Sequence, residues 1–131
     1  MTMTISTEHH AARLEGTRAF LDEGLSPARV RIYGGIRPAT PADTPSSAML
    51  VEVRLTKPCG SVIDGHLLLT PQENALIART GVATWARIVN GAELTAMDLD
   101  CSGLGGTGDI RLAQTQLYAG GYAQMASATL G

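Results

Sequence analysis

From Arg29 to the end of the chain, apolar and polar residues alternate in a series of short runs. Val30 and Ile32 alternate with Arg29, Arg31 and Tyr33. Met49, Val51, Val53 and Leu55 alternate with Leu50, Glu52, Arg54 and Thr56, and Val82, Thr84, Ala86 and Ile88 alternate with Ala83, Trp85, Arg87 and Val89. Successive side chains of a strand point to opposite faces, so a period of two predicts half-buried strands. Shorter candidates lie at 66–70, 93–99, 109–113 and 122–130, separated by Asp64-Gly65, Asn90-Gly91, the glycine run at 103–108 and Gly120-Gly121. Asn-Gly between alternating runs is a strong hairpin signal, so the strand carrying Trp85 is expected to turn there and pair with the strand carrying Leu94. Trp85, the single Trp on the most regular run, is the expected core anchor.

Only residues 7–23 carry a helical period, through Ala11, Leu14 and Leu21, with Thr7 as a cap, Glu8 in the first turn and Gly24 as the stop. Gly16, Thr17 and a thin apolar stripe make this helix marginal unless it docks on a neighbour. The pattern therefore predicts a mainly β chain: an N-terminal helix or arm over 1–25, then an antiparallel, jelly-roll-like β-sandwich over 26–131. Between the first two strands, GGIRPATPADTPSSA holds Pro38, Pro41 and Pro45 among small polar residues. Such a segment cannot enter a sheet interior and is expected at the surface, extended and semi-rigid, as a lid, a contact arm or a plain connection.

A length of 131 residues fits one domain. The net charge of −2 and the single spacing of the basic residues argue against nucleic acid as a partner. No stretch approaches the ~20 apolar residues of a membrane span, and the N-terminal MTMTISTEHHAARLEG lacks the pattern of a secretory signal, so synthesis and retention in the cytoplasm are expected. Cys59 and Cys101 are too few for a disulfide framework and lack zinc-site spacing.

The stretch CSGLGGTGDI raises two chemistries at once. Gly103, Gly105 and Gly108 have the spacing of a dinucleotide loop, but that loop needs a helix after it, and DIRLAQTQLYAGGY alternates instead. Asp98, Asp100, Ser102 and Asp109, with Gly103 at the sharp turn, follow the ligand spacing of a calcium loop. The flanking helices are absent and Asp replaces Glu at the last position, so these four are candidate metal ligands only, beside the ordinary reading of a glycine-rich connection between antiparallel strands. His9 and His10 point about 100° apart on a helix and are expected in solvent, while His66 is expected at a turn edge bonded to backbone. No nucleophile context or catalytic constellation occurs, so no catalytic residue, cofactor or enzymatic activity is expected.

The order of segments carries a resemblance. R-I-Y-G-G-I-R-P-A-T-P, then L-V-E-V-R-L, G-V-A-T-W-A-R-I-V-N-G, a glycine turn into G-D-I-R-L and finally Y-A-G-G-Y-A-Q-M-A-S-A-T-L resemble a family of small proteins from the structural modules of tailed bacteriophages and prophages, over residues 29–131. That resemblance implies a virion component, a capsid decoration or cement protein on the capsid exterior, bound to the major capsid protein and forming homo-oligomers. Tail and head-to-tail connector proteins share such modules. Asp98 and Asp100 depart from the family pattern and keep a second class open, a small calcium- or carbohydrate-binding β-sandwich. For a cement role the N-terminal helix and the proline-rich loop are the candidate contact segments, and Gln114, Thr115, Gln116 and the strand Q-M-A-S-A-T offer polar faces for edge pairing.

Overall fold

The structure, a computed structural model, describes residues 3–131. One helix, α1 (Thr7–Leu21), precedes β1 (Arg29–Tyr33), β2 (Met49–Ile63), β3 (His66–Pro71), β4 (Ala75–Leu76), β5 (Gly81–Val82) and β6 (Trp85–Val89). There follow β7 (Thr95–Gly103), β8 (Ile110–Leu112), β9 (Gln116–Leu117), β10 (Tyr122–Ala123) and β11 (Met125–Leu130). The chain is mainly β with a short N-terminal helix, as the periodicity predicts, but its strands are not arranged as a jelly-roll sandwich. β1-β2-β3-β11-β8-β7-β6 close into a barrel, and β4–β10 and β5–β9 form two short ribbons beside it. Directions can alternate all the way round a ring only if the number of strands is even. A seven-stranded barrel must contain a parallel neighbour pair, and β7 and β8 supply it, aligning Cys101 with Ile110 and Gly103 with Leu112.

Asp64-Gly65 is a turn as expected, whereas Asn90-Gly91 is not the tight hairpin its sequence predicts. Asp64 and Gly65, both at positive φ (50° and 79°), make the two-residue hairpin between β2 and β3, with Ile63 opposite His66. Asn90-Gly91 opens a longer connection over 90–94: β6 pairs with β7 as predicted, but Leu94 lies in the loop and Glu93 takes the positive φ. The Asn90 side-chain carbonyl accepts from the Ala92 and Leu94 amides at 2.9 and 3.0 Å, so it organises the loop. Gly91 serves close approach: a Cβ there would collide with the Ser26 carbonyl. β2 outruns its pattern: it pairs with β1 over Met49–Arg54 and with β3 from Leu55 on, and its register against β3 shifts between Leu55 and Gly60. Such an irregularity bends a strand and helps a sheet to close.

Inward-facing Val30, Ile32, Val51, Val53, Leu55, Ala86, Ile88, Ile110 and Leu112 fill the barrel, and Leu14 and Leu21 of α1 belong to the same buried cluster. Complete burial of Leu21 is worth roughly 1.5–3 kcal/mol. Ser6, rather than Thr7, caps the helix by accepting from the His9 amide. At the other end Asp22 accepts from the Cys59 amide at 2.8 Å and pairs with Arg18 at 2.9 Å, while Asn90 Nδ2 donates to the Phe20 carbonyl at 3.2 Å. The helix is thus docked on β2 and β3, and the core crosses the boundary that the sequence pattern places after residue 25. Met1 and Thr2 of that segment lie outside the described residues.

Candidate functional site

Residues directly opposite on neighbouring strands share a face. Register therefore places two rows on the outer wall of the barrel: Asp100, Trp85, Tyr33 and Met49 across β7, β6, β1 and β2, and Asp98, Arg87, Arg31 and Glu52 beside them. Trp85 and Tyr33 stack with centroids 4.5 Å apart and planes 12° from parallel, and the Arg87 guanidinium lies 5.6 Å from the Trp85 ring centroid. Arg87 donates through Nε and Nη2 to the two carboxylate oxygens of Asp98 at 2.7 and 3.0 Å. Those hydrogen bonds outweigh desolvation and raise the Arg87 pKa above its ordinary value.

Trp85 is only 1 % exposed, yet it stands on the outer wall and not in the barrel cluster. Tyr33 stacks on it, Arg87 approaches its ring, and the start of the proline-rich loop bonds to its indole. Trp85 Nε1 donates to the Gly34 carbonyl at 3.2 Å, Ser47 Oγ to the same carbonyl at 2.7 Å, and Thr84 Oγ1 to the Gly35 carbonyl at 2.7 Å. Arg37 reaches Asp100 at 3.0 Å. Residues 34–48 therefore form a strap whose two ends are fixed over an aromatic stack, and the sequence-predicted core anchor is the seat of that strap.

The calcium-spaced residues do not converge. β7 continues through Gly103, so Asp98, Asp100 and Ser102 are strand residues; Asp98 is taken by Arg87 and Asp100 by Arg37. Ser102 Oγ donates to the Gly103 carbonyl and accepts from the Gly108 amide, both at 3.0 Å, and Asp109 is exposed ahead of β8. Among the described residues no group of three or more His, Cys, Asp or Glu is disposed to hold a metal ion. The glycine run joins parallel strands rather than antiparallel ones, and Gly108 packs against β7, where a Cβ would lie 2.8 Å from the Ser102 amide nitrogen. The run leads into β8, whose Ile110 and Leu112 are buried in the core cluster.

His9 is exposed, but His10 is half-buried, its Nε2 2.9 Å from the Gly65 carbonyl at the β2–β3 turn. His10, not His66, is the histidine bonded to that turn; the His66 ring has no hydrogen-bond partner among the described residues. Cys59 and Cys101 are buried, and desolvation pushes both thiols up to about 12, so neither supplies a thiolate near neutral pH.

A second surface lies at the two ribbons. Tyr122 stands opposite Leu76 across β10 and β4, and Gly120, Gly121 and Ile77 tie the backbone together through bonds of 2.8–3.0 Å. Tyr118 and Tyr122 are 63 % and 70 % exposed. They border a groove of about 370 Å³ that Asn74, Gln114, Gln116 and Gln124 also line. The polar residues noted in the sequence thus contribute to a groove, whereas the expected edge is absent: β11 is paired on both sides, with β3 and β8. The sequence signal for this groove is two Tyr astride Gly120-Gly121 with Gln at alternate positions 114 and 116.

No protein-family model matches this chain, and no curated protein or solved structure matches it.

Proposed function

We propose that this chain is a bacteriophage virion structural protein of the capsid decoration type, which binds the major capsid protein on the outside of the shell and acts through contacts rather than catalysis. The observation that carries this reading is the strap. Its ends are fixed by Trp85, Thr84 and Ser47, its interior is stiffened by Pro38, Pro41 and Pro45, and Ile36 near its start is 84 % exposed. The strap is not extended throughout, since it turns at residues 40–43, where the Asp43 amide donates to the Thr40 carbonyl at 3.1 Å. A pre-ordered segment can nevertheless lie across a lattice neighbour without the ordering cost of a free arm. The order of motifs along residues 29–131 supports the same assignment. The docked helix supports the scaffold, so in this reading the contact belongs to the strap.

The test mixes purified protein with preformed capsids of the phage or prophage that encodes it. Wild-type protein should occupy the shell and raise its disruption temperature. A variant with residues 37–45 replaced by two glycines retains Gly34, Gly35 and Ser47 over Trp85; it should stay folded by circular dichroism and lose occupancy. The milder Ile36→Asp should weaken binding at least ~10-fold, about 1.4 kcal/mol. Full occupancy by both variants, or a capsid map in which this chain sits on the tail or connector instead of the shell, overturns the assignment.

A further inference from the structure

We propose that the groove between Tyr118 and Tyr122 binds a neutral carbohydrate chain. Its lining holds no charged side chain, whereas the groove on the other side of Tyr122 is lined by Glu52, Arg54 and Glu73. Tyr122 and Asn74 line both grooves, and the change of character across them selects an uncharged ligand for the first. A phosphate, carboxylate or sulfate would find no cation there.

The polar groups that are present suit hydroxyls. The side-chain amides of Asn74, Gln114 and Gln124 have no hydrogen-bond partner among the described residues, and Gln116 makes only two contacts at 3.4 Å, to the Gly81 and Leu117 carbonyls. Each amide offers an acceptor oxygen and two donor hydrogens. A sugar hydroxyl both donates and accepts, so four such amides around one groove match successive hydroxyls without a change of protonation state. The exposed rings of Tyr118 and Tyr122 supply flat apolar faces for the C–H side of a pyranose and hydroxyls at their rims. A volume of about 370 Å³ lies within the ~300–1,000 Å³ range of small-ligand sites.

A protein partner fits this groove less well. Protein hot spots bury apolar anchors in pockets that dry on contact. Here the apolar floor residues Ile77, Leu117 and Ala123 are already buried in the core cluster, so the surface left to a ligand is rings and amides. That buried floor and the backbone bonds joining Ile77 to Gly120 and Gly121 also fix the backbone that carries the two Tyr before a ligand arrives. The groove shares no lining residue with the strap, and this inference does not rest on the capsid assignment.

The intact chain is screened on an array of neutral and acidic glycans, and hits are followed by calorimetry and by NMR of the side-chain amides. Maltohexaose and chitotetraose serve as neutral probes and tetragalacturonic acid as the charged control. Neutral glycans should be retained and should shift the Asn74, Gln114 and Gln124 amide resonances while leaving the Trp85 indole unmoved. Tyr122→Ala should weaken binding about tenfold or more, and Gln124→Ala about fivefold, with unchanged melting because both side chains are exposed. Retention of acidic glycans alone, no glycan bound on the array or at millimolar probe, or affinity unchanged in both variants overturns the proposal. So do groove resonances that move only when capsids are added, which would assign the surface to a protein contact.

Discussion

The Arg87–Asp98 pair shows how differently one residue reads in sequence and in space. Asp98 opens the calcium-like spacing, but its hydrogen-bond partner lies eleven positions earlier, directly opposite on the neighbouring strand, and both side chains are buried. A bidentate pair with both charges out of water stabilises little relative to apolar residues, yet removing one partner strands the other charge. Asp98→Ala should therefore cost about 3–5 kcal/mol, whereas the double substitution Arg87→Met with Asp98→Leu should lie within about 1–2 kcal/mol of wild type. Urea unfolding of Arg87→Met, Asp98→Leu and the double closes the cycle. A harmless Asp98→Ala would show that the pair is solvated. Trp85 illustrates the same limit: its burial was legible from residue type, but it is buried on the outer wall that register assigns it, and period-two alternation carries no record of a loop bonded to that wall.

At the level of elements, the connection between β7 and β8 gives a test within a single motif. The run at 103–108 was legible as glycine-rich and as a turn. Its packing was not, because the parallel pairing of β7 with β8 follows from barrel closure rather than from any local pattern. Gly108 is buried against backbone, where a Cβ would lie only 2.8–3.0 Å from atoms of Ser102, Asp100 and Cys101, while a Cβ at Gly105 would meet nothing within 4 Å. Gly108→Ala must push the loop off β7 and should destabilise by about 1–3 kcal/mol. Gly105→Ala should be neutral or stabilising by up to about 1 kcal/mol, since it only restricts the unfolded chain. Thermal melts of the two variants check the contrast, and equal effects would mean that the loop does not lie on β7. The strands themselves were legible where alternation was clean, as in β1 and the first half of β2. The run expected as one half-buried strand over 82–89, however, divides into β5, which pairs with β9, and a fully buried β6, and the run over 122–130 divides into β10 and β11. The second half of β2 was missed because Thr56-Lys57-Pro58 interrupts the pattern, and β4 and β9 because two residues carry no period.

The barrel and helix share one core, and two thiols inside it couple global stability to alkaline pH. Cys59, on β2, is held by the helix end: its amide donates to Asp22 and its Sγ lies 4.0 Å from the Arg18 carbonyl. Cys101 lies on β7 beside Ile110. Burial is the main cause that raises both, from an ordinary value near 9 to about 12. Above pH 9 the unfolded chain releases these protons while the folded chain retains them, so the folded state binds more protons and stability must fall as pH rises. Well below that value, at neutral pH and under, neither state ionises and the thiols have no pH effect. From about pH 8 to about pH 10 each thiol should remove roughly 1.4 kcal/mol. Cys59→Ala and Cys101→Ala will each lose some packing at every pH, but the slope isolates the titration: each variant should lose less stability than wild type across that window, and the double variant least. Wild-type and double-variant curves that run parallel from neutral to alkaline pH would mean that both thiols reach water in the folded protein, and that the helix end does not seal β2 as its hydrogen bonds require.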